Sequence, residues 1–147
     1  MKELVALKGQ VKLRLNKSAG GVLLLGDHNL VTTLGEESIA EIIISNDGST
    51  PSPSHIAIGD GDLDLDASHT ALQGTEHDRQ AATVARVSND ISYTASFPHS
   101  GASVNVNEVG LFNAAAAGIM FARFLSQNFL FTDGDTLDIA WTLTVGG

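Results

Sequence analysis

Four carboxylates stand at every second position in Asp60-Gly61-Asp62-Leu63-Asp64-Leu65-Asp66. Oxygens spaced in this way could converge on a hard cation, and calcium takes roughly six to eight of them from such loops. The run departs from a helix–loop–helix calcium site, having no glycine at its sixth position and no glutamate at its twelfth. Its other reading is a solvated acidic loop, or an edge strand with Leu63 and Leu65 turned inward. Asp60, Asp62, Asp64 and Asp66 are therefore a candidate cation site to which no metal is assigned. Crowded together without a cation, their mutual repulsion would raise their pKa values.

Five histidines could add nitrogen ligands: His28, His55, His69, His77 and His99. His69 and His77 flank the acidic segment, so a mixed His/Asp site is conceivable, but none of the five belongs to a helical His pair with an adjacent Glu. Asp133 and Asp135 form the one other close carboxylate pair of interest. Acid–base work on a glycoside needs one carboxyl held in a dry pocket, and Thr132-Asp133-Gly134-Asp135 reads as a turn. Gly59-Asp60-Gly61 opens no helix, and neither a nucleophile-elbow serine motif nor a phosphate-cradling Gly-Lys-Ser/Thr is present. With no Cys, thiol chemistry and disulfides are excluded. The expectation is a protein that is not an enzyme and carries no cofactor.

Charge is distributed unevenly. Residues 1–17 hold Lys2, Lys8, Lys12, Arg14 and Lys17 against Glu3, whereas the remaining chain is acidic enough to make the net charge −9. An acidic body repels nucleic-acid phosphates. The basic start is read as an N-terminal strand or arm, with those five cations as interaction candidates. They would meet an acidic partner or, more plainly, guard a strand edge. No apolar run reaches the ~20 residues needed to span a bilayer, so no membrane partner is expected.

The elements that must position these residues are mostly strands. Val11, Leu13 and Leu15 alternate with Lys12, Arg14 and Asn16, which marks a strand with one wet face. Ser18-Ala19-Gly20-Gly21 reads as a hairpin turn, and Val22 to Leu25 as a buried strand. Residues 35–45 are the single helix candidate, with Thr33 as N-cap and Ile39, Ile42 and Ile43 on one apolar face. Further strands are expected at His55–Gly59, Ala82–Val87, Ile91–Phe97, Glu108–Asn113, Ile119–Leu125 and Leu137–Val145. A polar segment spans Asp60 to Asp78. Trp141 belongs in a core or an interface. Eight or nine short strands with regular turns predict a mainly β fold, an antiparallel β-sandwich of jelly-roll or immunoglobulin-like type. Residues 18–147 form one domain, a size that can bury roughly two-thirds of its extended surface.

An ordered set of segments carries a family likeness. These are His55-Ile56-Ala57-Ile58-Gly59-Asp60-Gly61, Thr70 to Glu76 with an Arg soon after, Tyr93-Thr94-Ala95-Ser96-Phe97-Pro98, Asn107 to Asn113, Ile119-Met120-Phe121-Ala122-Arg123 and Asp135 to Val145. In this order they resemble a group of small tailed-bacteriophage virion structural proteins, whose members are variously tail, tail-fibre or capsid-associated. The family pattern usually has a small neutral loop where this chain has Asp60 to Asp66. The resemblance implies a β-sandwich that assembles on a virion in the host cytoplasm and performs no catalysis. With one compact domain and no shaft, the expected role is a capsid decoration or cement protein bridging major capsid subunits. Self-association as a dimer or trimer would accompany it, with no nucleic acid and no small-molecule substrate. The alternative is a tail or tail-fibre-associated module that binds host glycan or anchors a fibre.

Overall fold

The computed structural model describes residues 7–45 and 48–146. The described chain is mainly β, with two antiparallel five-stranded sheets and a single helix, a β-sandwich as expected. The first sheet contains β1 (Leu7–Asn16), β2 (Val22–His28), β6 (Thr83–Val87), β7 (Asp90–Pro98) and β10 (Thr136–Val145), in the order β2-β1-β10-β7-β6. The second contains β3 (Leu30–Val31), β4 (His55–Gly59), β5 (Glu76–Ala81), β8 (Val104–Phe112) and β9 (Met120–Phe131), in the order β3-β9-β8-β4-β5. Between β3 and β4 lies the helix α1 (Thr33–Ser45). No helix among the described residues is long and apolar enough to cross a membrane.

One core fills the space between the sheets. Val11, Leu13 and Leu15 of β1 and Leu137, Ile139, Trp141 and Leu143 of β10 meet Ile56 and Ile58 of β4, Val109 and Leu111 of β8 and Phe124 of β9. The period-two alternation of β1 and β10 is the cause: Val11 sits opposite Trp141, Leu13 opposite Ile139 and Leu15 opposite Leu137, all on the inner face. Trp141 is fully buried.

Several elements differ from expectation. β1 is paired on both flanks, to β2 and β10, so it guards no edge. Of the expected basic strand or arm, Leu7–Asn16 is strand, with Val11, Leu13 and Leu15 in the core, and residues 1–6 lie outside the described residues. Lys2 lies outside the described residues. β2 is not a buried strand but the free edge of its sheet, with Leu24 71% exposed. A continuous apolar run carries no information about which side a strand's neighbours lie on.

The helix starts two residues earlier than expected, and its cap is Thr32 rather than Thr33. The Thr32 hydroxyl oxygen accepts the Gly35 N–H at 2.9 Å and its hydroxyl donates to the Met120 carbonyl at 2.6 Å. Of the predicted apolar face, Ile39 and Ile42 pack on the core, whereas Ile43 is exposed. β5 was not expected: it begins inside the polar segment Asp60 to Asp78 and runs on to Ala81, and its Glu-His-Asp-Arg-Gln sequence has no apolar alternation to betray it.

Candidate functional site

The outer faces of the two sheets hold the polar residues of interest, and they are built in opposite ways. On the second sheet, residues 60–75 fold back over β8 and β9 as a loop with bonded ends. The Asp60 N–H donates to the Thr75 carbonyl at 3.2 Å, and the Thr75 N–H donates to Asp60 Oδ1 at 2.6 Å. Beneath the loop lies Glu108, which is fully buried. Its Oε1 accepts the N–H groups of Gly61 and Gly74, and its Oε2 accepts the N–H of Gln73, all at 2.9 Å. Arg123, 1% exposed, donates Nε–H to Glu108 Oε2 at 2.8 Å and Nη1–H to the Leu63 carbonyl at 2.9 Å. A carboxylate with four donors and a guanidinium bridging it to the loop backbone together clasp the loop to the sheet.

A shift in register aims Glu108 outward. Val106 faces the core opposite Phe129, and the pairing then slips so that Glu108 meets Leu125. The slip changes the phase of alternation: Val109 and Leu111 take over the inner face, leaving Glu108, Gly110 and Phe112 outside. Close approach of the loop explains two glycines. A Cβ on Gly61 would lie 2.4 Å from Glu108 Oε1, and one on Gly74 would lie 2.3 Å from the Gly61 nitrogen. Leu72 completes the lid by packing on a small second core of Ala57, Phe112 and Met120.

A second guanidinium works alongside. Arg79 stacks over the Phe112 ring, 3.8 Å from its centroid, and is held by Glu76 at 2.7 and 2.9 Å. Its Nη1 donates to the Ala114 and Ala117 carbonyls at 3.0 and 2.8 Å, tying down the turn between β8 and β9.

Burial alone would raise the Glu108 pKa, but the N–H groups of Gln73 and Gly74 and the Arg123 guanidinium outweigh it and hold the group below the ordinary glutamate range. Asp135, read from sequence as a turn former, behaves similarly. Burial raises it, and Lys17, the Ser18 N–H and the Thr132 N–H and hydroxyl overcome that and hold it far below the usual carboxylate range. Lys17 Nζ lies 2.8 Å from Asp135 Oδ2, so this interaction candidate is committed to an internal ion pair.

The acidic run does not form the convergent site its spacing allowed. Asp60 is engaged with Thr75 and faces His77 at 3.4 Å, while Asp62 and Asp64 are exposed. Asp66 accepts the Ser68 hydroxyl and N–H at 2.6 and 2.8 Å, and these bonds lower its pKa rather than raise it. No three His, Asp or Glu side chains among the described residues gather as a metal would require. The other histidines are dispersed: His55 bonds Ser54, His99 stacks on Phe131, the His69 N–H reaches the Asp66 carbonyl, and His28 is exposed.

The outer face of the first sheet is bare. A shallow groove of about 720 Å³ runs across it, and Lys12 and Arg14 stand on β1 above a floor of small residues, Ala140, Thr94, Ser96 and Thr83. The register sets this floor: Lys12 is opposite Ala140, which is opposite Thr94, which is opposite Thr83. Arg14 is opposite Asp138, and Asn16 links the two, accepting from Arg14 Nε and donating to Asp138 Oδ2, each at 3.1 Å. Two cations against one carboxylate make this groove locally positive on an acidic protein. Lys8 is exposed on the same strand, opposite Thr144.

No aromatic ring lines the groove, because the Trp, the Tyr and all six Phe are buried. Sequence reasoning placed Lys12 and Arg14 on a wet face correctly but missed Glu108 and Arg123. Their one signal was a single, opposite charge in each of two otherwise uncharged strands. No family model, no curated protein and no solved structure matches the chain.

Proposed function

We propose that this chain is a virion structural protein, a decoration or cement protein that adheres to the outer shell and bridges major capsid subunits. The reading joins the resemblance to tailed-phage structural proteins with one structural observation. The clasped face is closed by its own loop, while the bare face offers Lys12 and Arg14 over a floor of small side chains. A flat, weakly polar, locally cationic sheet face suits adhesion to an acidic protein surface. Each contact is modest, but many copies bridging neighbouring subunits make rupture require many contacts to break together.

The test is occupancy on isolated capsids assembled from the major capsid subunit of the same particle. Wild-type protein should bind at a copy number that scales with the shell, and Lys12→Glu with Arg14→Glu should lose binding while remaining folded. A copy number matching the single tail axis would instead assign the chain to the tail. A glycan platform lacks its usual means here, since every aromatic ring is buried.

A further inference from the structure

Four strand edges terminate the two sheets, and three of them are blunted. β5 carries Glu76, Asp78 and Arg79, β6 is five residues long and carries Arg86, and β3 is two residues long and leads through Thr32 into α1. Short or charged edges discourage strand addition. β2 is seven residues long, and its one acidic residue, Asp27, stands next to its end. Its Val22-Leu23-Leu24-Leu25-Gly26 run is free of charge, and Val22, Leu23 and Leu24 are 52, 40 and 71% exposed.

The phase of its free backbone groups follows from the hairpin. The Lys17 N–H donates to the Gly21 carbonyl and the Asn29 N–H to the Gly9 carbonyl. Gly21 and Asn29, and with them Leu23, Leu25 and Asp27, therefore turn their backbone groups toward β1. Val22, Leu24, Gly26 and His28 turn theirs to the open edge.

We propose that β2 is a strand-pairing site for a second copy of this chain, joining two first sheets across a two-fold axis at Leu24. An axis there makes β2 antiparallel to its mate, with Leu24 against Leu24, Leu23 against Leu25 and Val22 against Gly26 of the other copy. The outward backbone groups of Val22, Leu24 and Gly26 then meet complementary ones, and every leucine in the run meets a leucine. Asp27 falls opposite Gly21 of the mate, a residue with no side chain, in the same cross-strand row as Lys17 beyond it. Asp27 thus meets no apolar side chain of the mate at either end of the seam. Moving the axis to Leu25 would place Asp27 against Leu23, and moving it to Asp27 would oppose two carboxylates, so residue chemistry selects Leu24. The pairing is a property of the purified chain and does not depend on a role in a virion.

The experiment is sedimentation velocity on the full-length protein, with the near-ultraviolet dichroism of buried Trp141 reporting that each variant is folded. Wild type should sediment at twice the mass of one chain. Leu24→Lys alone and Leu24→Asp alone should sediment as single chains, and an equimolar mixture should return to the doubled mass, because only an axis at position 24 sets those two side chains against each other. A wild type that stays single at its solubility limit, a Leu24→Lys protein that stays double, or a mixture that stays single would each overturn the proposal. In a chain without cysteine, Leu24→Cys supplies a check that introduces no charge. Mild oxidation should yield a reducible dimer from it, and none from Val84→Cys on the β6 edge; equal cross-linking of both would overturn the assignment.

Discussion

The outer face of the second sheet is locked by Glu108, Arg123 and Arg79 under a folded loop, whereas that of the first sheet has no covering loop and leaves Lys12, Arg14 and Asp138 exposed over a floor of mostly short side chains. The same alternation produced both faces. The difference comes from length of connection: 16 residues, 60–75, separate β4 from β5, while Ala82 alone separates β5 from β6. A long connection whose backbone N–H groups converge needs an acceptor, and Glu108 supplies it. Charge on the second sheet is therefore internal and structural, and charge on the first is external and available to a partner.

The largest expected effect breaks the lock. Arg123→Met leaves Glu108 buried without its countercharge and should cost about 3–5 kcal/mol, read by urea unfolding. Loop 60–75 should become protease-sensitive in the same variant. Glu108→Leu combined with Arg123→Met should recover part of that loss, because replacing a buried pair together removes the uncompensated charge. A double variant as unstable as Arg123→Met alone would mean that the loop bonds, rather than the charge balance, dominate.

Next in size is the close approach. Gly61→Ala places a methyl group 2.4 Å from Glu108 Oε1 and 2.5 Å from the Gly74 nitrogen. The loop must lift, at a cost of about 1–3 kcal/mol. Gly20→Ala, in the open hairpin with nothing within 4 Å, provides the control for backbone strain without crowding. Equal losses in the two would show that the clasp is looser than its distances indicate.

Acid should distinguish the faces as well. Glu108 and Asp135 both titrate below their ordinary values in the folded chain. The unfolded chain therefore takes up protons first on acidification, and stability held above about pH 5 falls as pH drops through the ordinary carboxylate range toward the depressed folded values. Melting temperature against pH checks this, and Glu108→Gln should flatten the acid limb. An unchanged limb would place the acid sensitivity at Asp135 instead.

Legibility followed local pattern. β1, β7 and β10 were readable because alternation is a short-range signal and their inner residues are buried. β5 was not, since Arg79 and Glu76 satisfy one another and the stretch lacks apolar period. The clasp was hidden for a different reason. Glu108 and Arg123 sit on facing strands, and Glu108 points outward only because the β8–β9 pairing slips, which no window along the chain records. The segments carrying the phage likeness from His55 to Gly61, Thr70 to Glu76, Asn107 to Asn113 and Ile119 to Arg123 all contribute to this clasped face. Much of what looked like a family signature is thus the means of pinning one loop.

The smallest expected effect on stability falls on the bare face, and it carries the functional weight. Lys12 and Arg14 are exposed, and Arg14 contacts only Asn16 through its side chain among the described bonds. Lys12→Ser and Arg14→Ser should each shift stability by no more than about 0.5 kcal/mol, as surface substitutions generally do. If this face is the adhesive one, the same pair should weaken capsid binding and reduce its salt dependence, because fewer charges are neutralised on contact. Arg79→Ser on the other face should do the reverse, destabilising the fold with no change in the salt slope of the protein that remains folded. Binding that survives Lys12→Ser and Arg14→Ser but tracks the integrity of the loop would exchange the roles of the two faces, making the acidic residues Asp62 and Asp64 on the loop surface the contact.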